Sequence, residues 1–463
     1  MKTNINIKSI ILFLVFSIFV SLFLYRSTIN AYFFQDDWFT LRISQVKNLS
    51  EFYQFFIPRN DIIYYRPLGM QVPFFILRLL FGLNPLPFHI LTIVTHAVNI
   101  VLVYLLIRLI RKDSFTACLS SFLYAVSAIH YIPMFWSSTY AFILGPTYAV
   151  ASLIFFILSF RKKENLFYCL SLVSFFIGLF VNEMLTVLPI ILLLTQFYFN
   201  KLNIKRLLPF FLTVFILLTW RFYIFPPPVR DAYQLGIGKE LLNNIKAYIL
   251  WSFNWPEEMK AQFITFFNIN PQFIREFSWY FWPFIITFLT SIILMFLIPL
   301  FLIFSKGYHL GKLLIYSSLW FITGLLPVIF FTQHSFSYYL PISIIGLLLL
   351  LSSMFKYLFD LIHKTSKELA FILIMILLIN WSYCTYITID FNAKIHWAPR
   401  RAELSKTLVT EIEKNYPRSL KKVIPVSGSS ENRLALNNQD ALKVIYNDES
   451  IVTAYEYPQT NSK

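Results

Sequence analysis

Acidic residues are scarce in this chain: 23 Asp and Glu in 463 residues, against 39 Lys and Arg. Charge of either sign is scarce too, at 13%, where a soluble domain carries about 25%. With 57% hydrophobic residues and 52 phenylalanines, that shortage excludes a soluble globular protein and points to a polytopic membrane protein. Cysteine is nearly absent as well. Cys118, Cys169 and Cys384 all fall inside apolar runs, which excludes a disulfide framework and leaves them as small apolar side chains. No small-residue cleavage site follows the first apolar run, so that run reads as an uncleaved anchor. Internal repeats and low-complexity segments are missing.

What is present is a series of apolar runs near or above the roughly 18 residues a spanning helix needs. They predict about eleven spans, at 10–25, 88–107, 114–131, 140–160, 166–181, 185–199, 207–225, 281–304, 313–331, 338–355 and 369–389. If the spans alternate, the clusters RLIRK, RKKEN, KLNIKR, SKGYHLGK and KYLFDLIHKTSKE fall on the side of Lys2 and Lys8. Short loops rich in Lys and Arg stay in the cytoplasm, so the N-terminus is expected there, and the net charge of +16 needs no nucleic acid partner. The expected architecture is an all-α membrane domain over 1–389 with long outer loops at 26–87 and 226–280. A small extracytoplasmic α+β domain follows over 390–463. There RRAELSKTLVTEIEKNYP has apolar residues at helical spacing, and KKVIPV and SIVTAYEY read as strands with a helix between them. The stretch between Gly69 and Gly82 is too short to span and should lie in the interface. Trp251 and Trp255 suit the headgroup belt.

Against this background two adjacent acids stand out: Asp36 and Asp37 in AYFFQDDWFTLR, on the expected outer face. Neighbouring carboxylates raise each other's pKa, so one can act as a base while the other holds a divalent metal or orients a hydroxyl. YYRPLG brings Tyr65 and Arg66 into the same loop. Arg66, and Arg221 at the end of the seventh run, have the planar guanidinium that suits phosphate. His89 and His96 lie on one helix face, about 10 Å apart along the axis, too far to share one zinc. Glu183, His130, His334 and Tyr339 also fall at outer span ends. Polar residues thus gather at one face, while the mid-span stretches are Leu, Ile and Phe. That layout suits an outward-opening site on lipid better than a transporter, which needs polar groups at the midplane.

These residues resemble a family. The acidic pair, then YYRPLG and LFGLNPLPFHILTIVTHAV, is similar to the C-type (GT-C) membrane glycosyltransferases, most of all the protein O-mannosyltransferase branch and its tetratricopeptide-tailed relatives. In those relatives Tyr-Arg-Pro-Leu leads into Gly-x-x-Pro-x-x-x-His-x-x-Asn-x-x-x-His. Tyr65, Arg66, Pro67, Leu68, Gly82, Pro85, His89 and His96 match, with Thr92 at the Asn position. AIHYIPMFWSSTYAFIL keeps His130, Trp136 and Ser137 but has Ser138 and Thr139 for Gly-Arg; VNEMLTVLP keeps Glu183 but has Asn182 for Lys. SFSYYLP keeps Tyr339, Leu340 and Pro341, with Ser335 and Phe336 where Glu-Arg would stand, and no tetratricopeptide tail follows. The resemblance covers residues 1 to about 390. It implies transfer of a hexose, with mannose as one candidate, from a polyprenyl phosphate to an extracytoplasmic protein, lipid or glycan of the cell envelope. Asp36 would be the base and Asp37 its partner. Inversion is expected, with Arg66 and Arg221, joined by His89 or His96, as the candidates for stabilising the leaving phosphate. The rival expectations are a transporter or flippase of lipid-linked or small solutes, and a non-catalytic membrane scaffold.

Overall fold

The computed structural model of the chain describes residues 6–46, 48–265, 267–305, 311–417 and 422–456. Lys2 and most of the SKGYHLGK cluster lie outside them. Apolar runs become helices wherever a cap can start them. Asn6 accepts the Lys8 N–H before α1 (Ile7–Tyr25), and the acid pair opens the short α2 (Asp36–Ile43). After α3 (Val72–Phe81), Gly82 turns at φ 63° into α4 (Leu86–Arg111), which ends at left-handed Lys112. Asp113 then accepts from Thr116 N–H at 2.8 Å and caps α5 (Ser114–Ala125). The membrane part continues with α6 (Ala141–Lys162), α7 (Asn165–Val181), α8 (Leu188–Phe199) and α9 (Ile204–Thr219). Beyond a segment bearing α10 (Lys239–Ser252) come α11 (Ser278–Ile292), α12 (Gly311–Leu325), α13 (Ser343–Thr365) and α14 (Lys367–Ile395).

Among the described residues, seven helices are long and apolar enough to cross a membrane, and eight if Ser114–Ala125 and Ala128–Phe135, bent by 43°, form one span. The remaining three expected spans are helical but shorter, at Asn165–Val181, Glu183–Phe199 and Gly311–Leu325. Pro67–Phe81 is a short apolar helix whose Leu79, Leu80 and Phe81 are exposed. The two tryptophans differ from expectation. Trp251 and Trp255 are buried, packed on Tyr248, Phe284 and Phe288, because α10 folds back onto the bundle instead of resting at its surface. All three cysteines are free.

The tail runs on from α14 into α15 (Trp397–Asn415), then β1 (Val423–Ser427), α16 (Ser430–Ala435), α17 (Asp440–Tyr446) and β2 (Val452–Glu456). The strands pair in parallel, Val423 opposite Val452, and a parallel pair needs a crossover such as the two helices between them. The tail does not stand apart. Leu408, Ile412, Ile424 and Leu442 share one apolar cluster with Phe33, Trp38 and Leu41 of the acid-pair segment and with Phe74 and Phe88.

Candidate active site

The YYRPLG motif owes its position to a close approach. A Cβ at Gly69 would lie 2.1 Å from the Val181 carbonyl oxygen, so only glycine lets the turn at Pro67–Gln71 rest on the end of α7. That contact brings Arg66 to Glu183, two residues beyond Val181. Arg66 Nε donates to Glu183 Oε2 at 2.7 Å and Nη2 to Oε1. The guanidinium also lies over Tyr64 and Phe142, at 5.0 and 4.5 Å from the ring centroids. Burial works against the Arg66 charge, and Glu183 more than offsets it.

The two aspartates have different surroundings. Asp37 is 1% exposed. Its Oδ1 accepts from the Ser138 N–H and from Ser138 Oγ, both at 2.7 Å, and its Oδ2 from Phe34 N–H at 3.2 Å. Asp36 is half-buried, and among the described residues its carboxylate makes no hydrogen bond or ion pair. Arg230 and Arg401 act on it electrostatically, and it acts in turn on Tyr64 and Tyr233. Burial raises the Asp36 pKa to about 6, against the pull of Arg230, with Asp440 adding to the rise and Arg401 opposing it. For Asp37 burial raises it to about 7 although Ser138 and Phe34 favour its charged form.

Tyr233, on which Asp36 acts electrostatically, stacks on His334 with ring centroids 4.3 Å apart, and His334 Nδ1 is 2.9 Å from the Tyr339 hydroxyl. Burial lowers the His334 pKa to about 4, so its ring is neutral near pH 7. Where the family pattern has Glu-Arg, Ser335 accepts a hydrogen bond from Lys260 Nζ, and the Ser337 N–H donates to Glu257 Oε2 at 2.8 Å. An acid and an amine from the segment after α9 therefore flank the positions whose own charges are missing. Ser138, which with Thr139 stands where the resembled pattern has Gly-Arg, supplies both donors to Asp37 Oδ1.

Of the sequence candidates, Arg66, Glu183 and Tyr339 interact with one another, Arg66 also acts on His334, and Asp36 shares with Arg66 and Glu183 an electrostatic action on Tyr64 and Tyr233. Tyr65 is turned away, its hydroxyl donating to the Phe56 carbonyl at 2.8 Å and its ring against Trp220. Arg221, 6% exposed, donates to the carbonyls of Phe225, Ile62 and Ile63 and so pins the strand of loop that leads to Arg66. His89 faces the carbonyls of Met134 and Ala31, at 3.1 and 2.9 Å. His96 is 3.1 Å from the Ala125 carbonyl, with His130 beside it at 4.5 Å between ring centroids. These three histidines are buried among α4 and its neighbours. No three His, Cys, Asp or Glu side chains among the described residues converge to hold a metal. Tyr64, Arg230, Tyr233, Glu257, Lys260 and Arg401 were not singled out by sequence. Their one available signal was charge and tyrosine in the segments between and after the apolar runs.

No protein-family model and no curated protein matches the chain. Solved structures do. The oligosaccharyltransferase of Archaeoglobus fulgidus, tethered by a disulfide bond to an acceptor peptide containing the NVT sequon, aligns with 97% of this chain at 12% identity and a TM-score of 0.49. This chain spans 64% of that protein's length. ArnT from Cupriavidus metallidurans, bound to undecaprenyl phosphate, aligns at 10% identity and a TM-score of 0.51, over 99% of this chain and 87% of that one. At such identity the ArnT likeness is one of architecture, and it shows that this membrane protein has the GT-C fold.

Proposed function

We propose that the protein is a glycosyltransferase that takes a hexose from a polyprenyl phosphate and passes it, with inversion, to an extracytoplasmic protein, lipid or glycan. The observation that carries this reading is the contrast within the acid pair. Asp37 is tied by three hydrogen bonds, while Asp36 keeps its carboxylate unbonded, in electrostatic reach of Arg230, Tyr64 and Tyr233. A base works best with a pKa near the working pH, and about 6 leaves Asp36 mostly charged at neutrality. In the proposed step Asp36 takes the proton of an acceptor hydroxyl as its oxygen bonds to the anomeric carbon. The bond from that carbon to the phosphate oxygen breaks on the opposite face, the logic shared with inverting glycosidases. The lipid phosphate departs as an anion and needs cations, not a proton.

Arg230 and Lys260 supplement Arg66 in that role. Arg221, His89 and His96 fit a supporting role better, since each is buried as well as bonded to main-chain carbonyls, whereas Arg230 is exposed. The lipid chain has a place as well. An apolar cavity of about 550 Å³ is lined by Ile249, Phe253, Phe288, Phe321 and Leu325 between α10, α11, α12 and α13. The same helix, α10, lines a second pocket of about 430 Å³ with Lys239 and Lys246, joined there by Lys260. Apolar and cationic surfaces in that order suit a lipid with an anionic head. The ArnT structure of the same fold holds undecaprenyl phosphate, a lipid of this class, which supports the assignment. In this reading the N-terminus is cytoplasmic, the tail lies outside, and about eleven helices cross.

The test offers purified protein a panel of polyprenyl-phosphate sugars and follows release of the lipid phosphate. Asp36→Asn should lower turnover by about 10²- to 10⁴-fold, the usual contribution of a general base. Equal turnover by wild type and Asp36→Asn would overturn the proposal.

A further inference from the structure

The acid pair is entered through a backbone conformation that side chains rarely adopt. Gln35 has φ 50° and ψ −123°. Such geometry is unfavourable for a non-glycine residue and persists only where its surroundings hold it. The tail holds it from two directions. The Gln35 N–H donates to the Ala435 carbonyl at 2.9 Å, and Gln35 Oε1 accepts from Arg401 Nη1 at 2.8 Å. Arg401 is itself fixed, by Glu431 at 3.1 Å and by stacking over Trp397 at 4.8 Å from the ring centroid. The Gln35 carbonyl in turn accepts the Trp38 N–H at 3.0 Å, which closes the first turn of α2 around Asp36 and Asp37. Two more ties secure the same helix: Trp38 Nε1 donates to Ser405 Oγ at 2.9 Å, and Arg42 pairs with Asp440 and Glu449, each at 2.7 Å.

The geometry points to the C-terminal segment as the device that aims Asp36: Arg401 and the Ala435 carbonyl hold Gln35 in its left-handed turn, and that turn sets where the following carboxylate lies. Arg401 touches Gln35 and not the carboxylate, so it is a positioning residue. The catalytic consequence rests on the glycosyltransferase reading; the mechanical claim does not. A relaxed Gln35, with φ returned to negative values, would rotate the first turn of α2 and carry Asp36 away from Tyr64, Tyr233 and Arg230.

Glycine separates clamp from strain, because it takes positive φ without steric cost. The experiment compares full-length wild type, Arg401→Ala, Gln35→Gly and the double variant in lipid nanodiscs. Two quantities are read: amide hydrogen exchange in the peptide covering residues 33–41, and turnover of a polyprenyl-phosphate sugar. Arg401→Ala should speed exchange at Gln35 and Trp38 about tenfold and lower kcat about tenfold with KM within about twofold, while in the Gln35→Gly background its effect on kcat should fall below about threefold. Unchanged exchange in residues 33–41, unchanged kcat, or an equal loss in the glycine background would each overturn the inference. Should Arg401→Ala unfold the tail, exchange rises throughout 401–415 as well. Glu431→Gln, which frees Arg401 without removing it, then takes its place under the same criteria. If wild type consumes no donor, the glycosyltransferase reading fails, and the exchange arm still decides whether the tail holds Gln35.

Discussion

Arg66 and Glu183 meet through two parallel hydrogen bonds across 117 positions of sequence. The pair is lopsided: the Arg66 side chain is 9% exposed and that of Glu183 41%. Removing Glu183 therefore strands a buried cation, whereas removing Arg66 leaves a carboxylate that water can reach. Breaking a buried pair from one side costs about 3–5 kcal/mol. Glu183→Ala should approach the lower end of that range and Arg66→Ala should cost distinctly less. Thermal melting of both variants in one detergent checks the order.

Activity should follow the charge state of Asp36. Turnover is expected to rise with pH through about 6 and then level off. Arg230 holds the Asp36 pKa down, so Arg230→Gln should move the inflection to higher pH. A pH–rate profile of each protein decides this.

Stability should show the opposite slope. Both acids have folded pKa values above the ordinary 3.8, about 6 for Asp36 and about 7 for Asp37. Between about pH 4 and 7 the folded state then binds more protons than the unfolded one, and stability falls as pH rises. Melting temperature should decline across that window and be flat above it with respect to these groups. Asp36→Asn should flatten the part of the decline that ends near 6.

Ser138→Ala removes one of the two Ser138 donors to Asp37 Oδ1 and keeps the backbone one. A hydrogen bond to a charged group contributes about 1.5–3 kcal/mol, so unfolding free energy should drop by an amount in that range, read as a lower melting temperature. Ser138→Thr, which retains the hydroxyl, should lose less.

Filling the apolar cavity should discriminate by lipid length. Ile249 lines it from α10, and Ile249→Trp is expected to raise KM about tenfold for long-chain donors, or about 1.4 kcal/mol of binding. Short-chain analogues that do not reach the cavity should be affected little. Kinetics with two chain lengths supply the comparison.

The helices were readable because lipid demands long unbroken apolar runs, and the tail's strands and helices because their periods differ. A carboxylate pair and the Tyr-Arg-Pro-Leu turn also stood out against an apolar chain. Partnership did not. Which aspartate is free depends on Ser138, 101 positions from Asp37. Arg221 looks like a phosphate ligand until the carbonyls of Ile62 and Ile63, more than 150 positions earlier, are seen to occupy it. The absence of Glu-Arg at 335–336 reads as lost charge, yet Glu257 and Lys260 stand against that place from another segment. In each case the deciding contact joins residues that no local pattern connects.

The hydrogen bond between Gln35 and Arg401 links residues 366 positions apart, and this has a consequence for biosynthesis. A growing chain inserts α1 and exposes the acid pair long before Arg401 and Ala435 have been made. Until those residues have been made the first turn of α2 lacks its brace, and the site acquires its final geometry only once they have joined it.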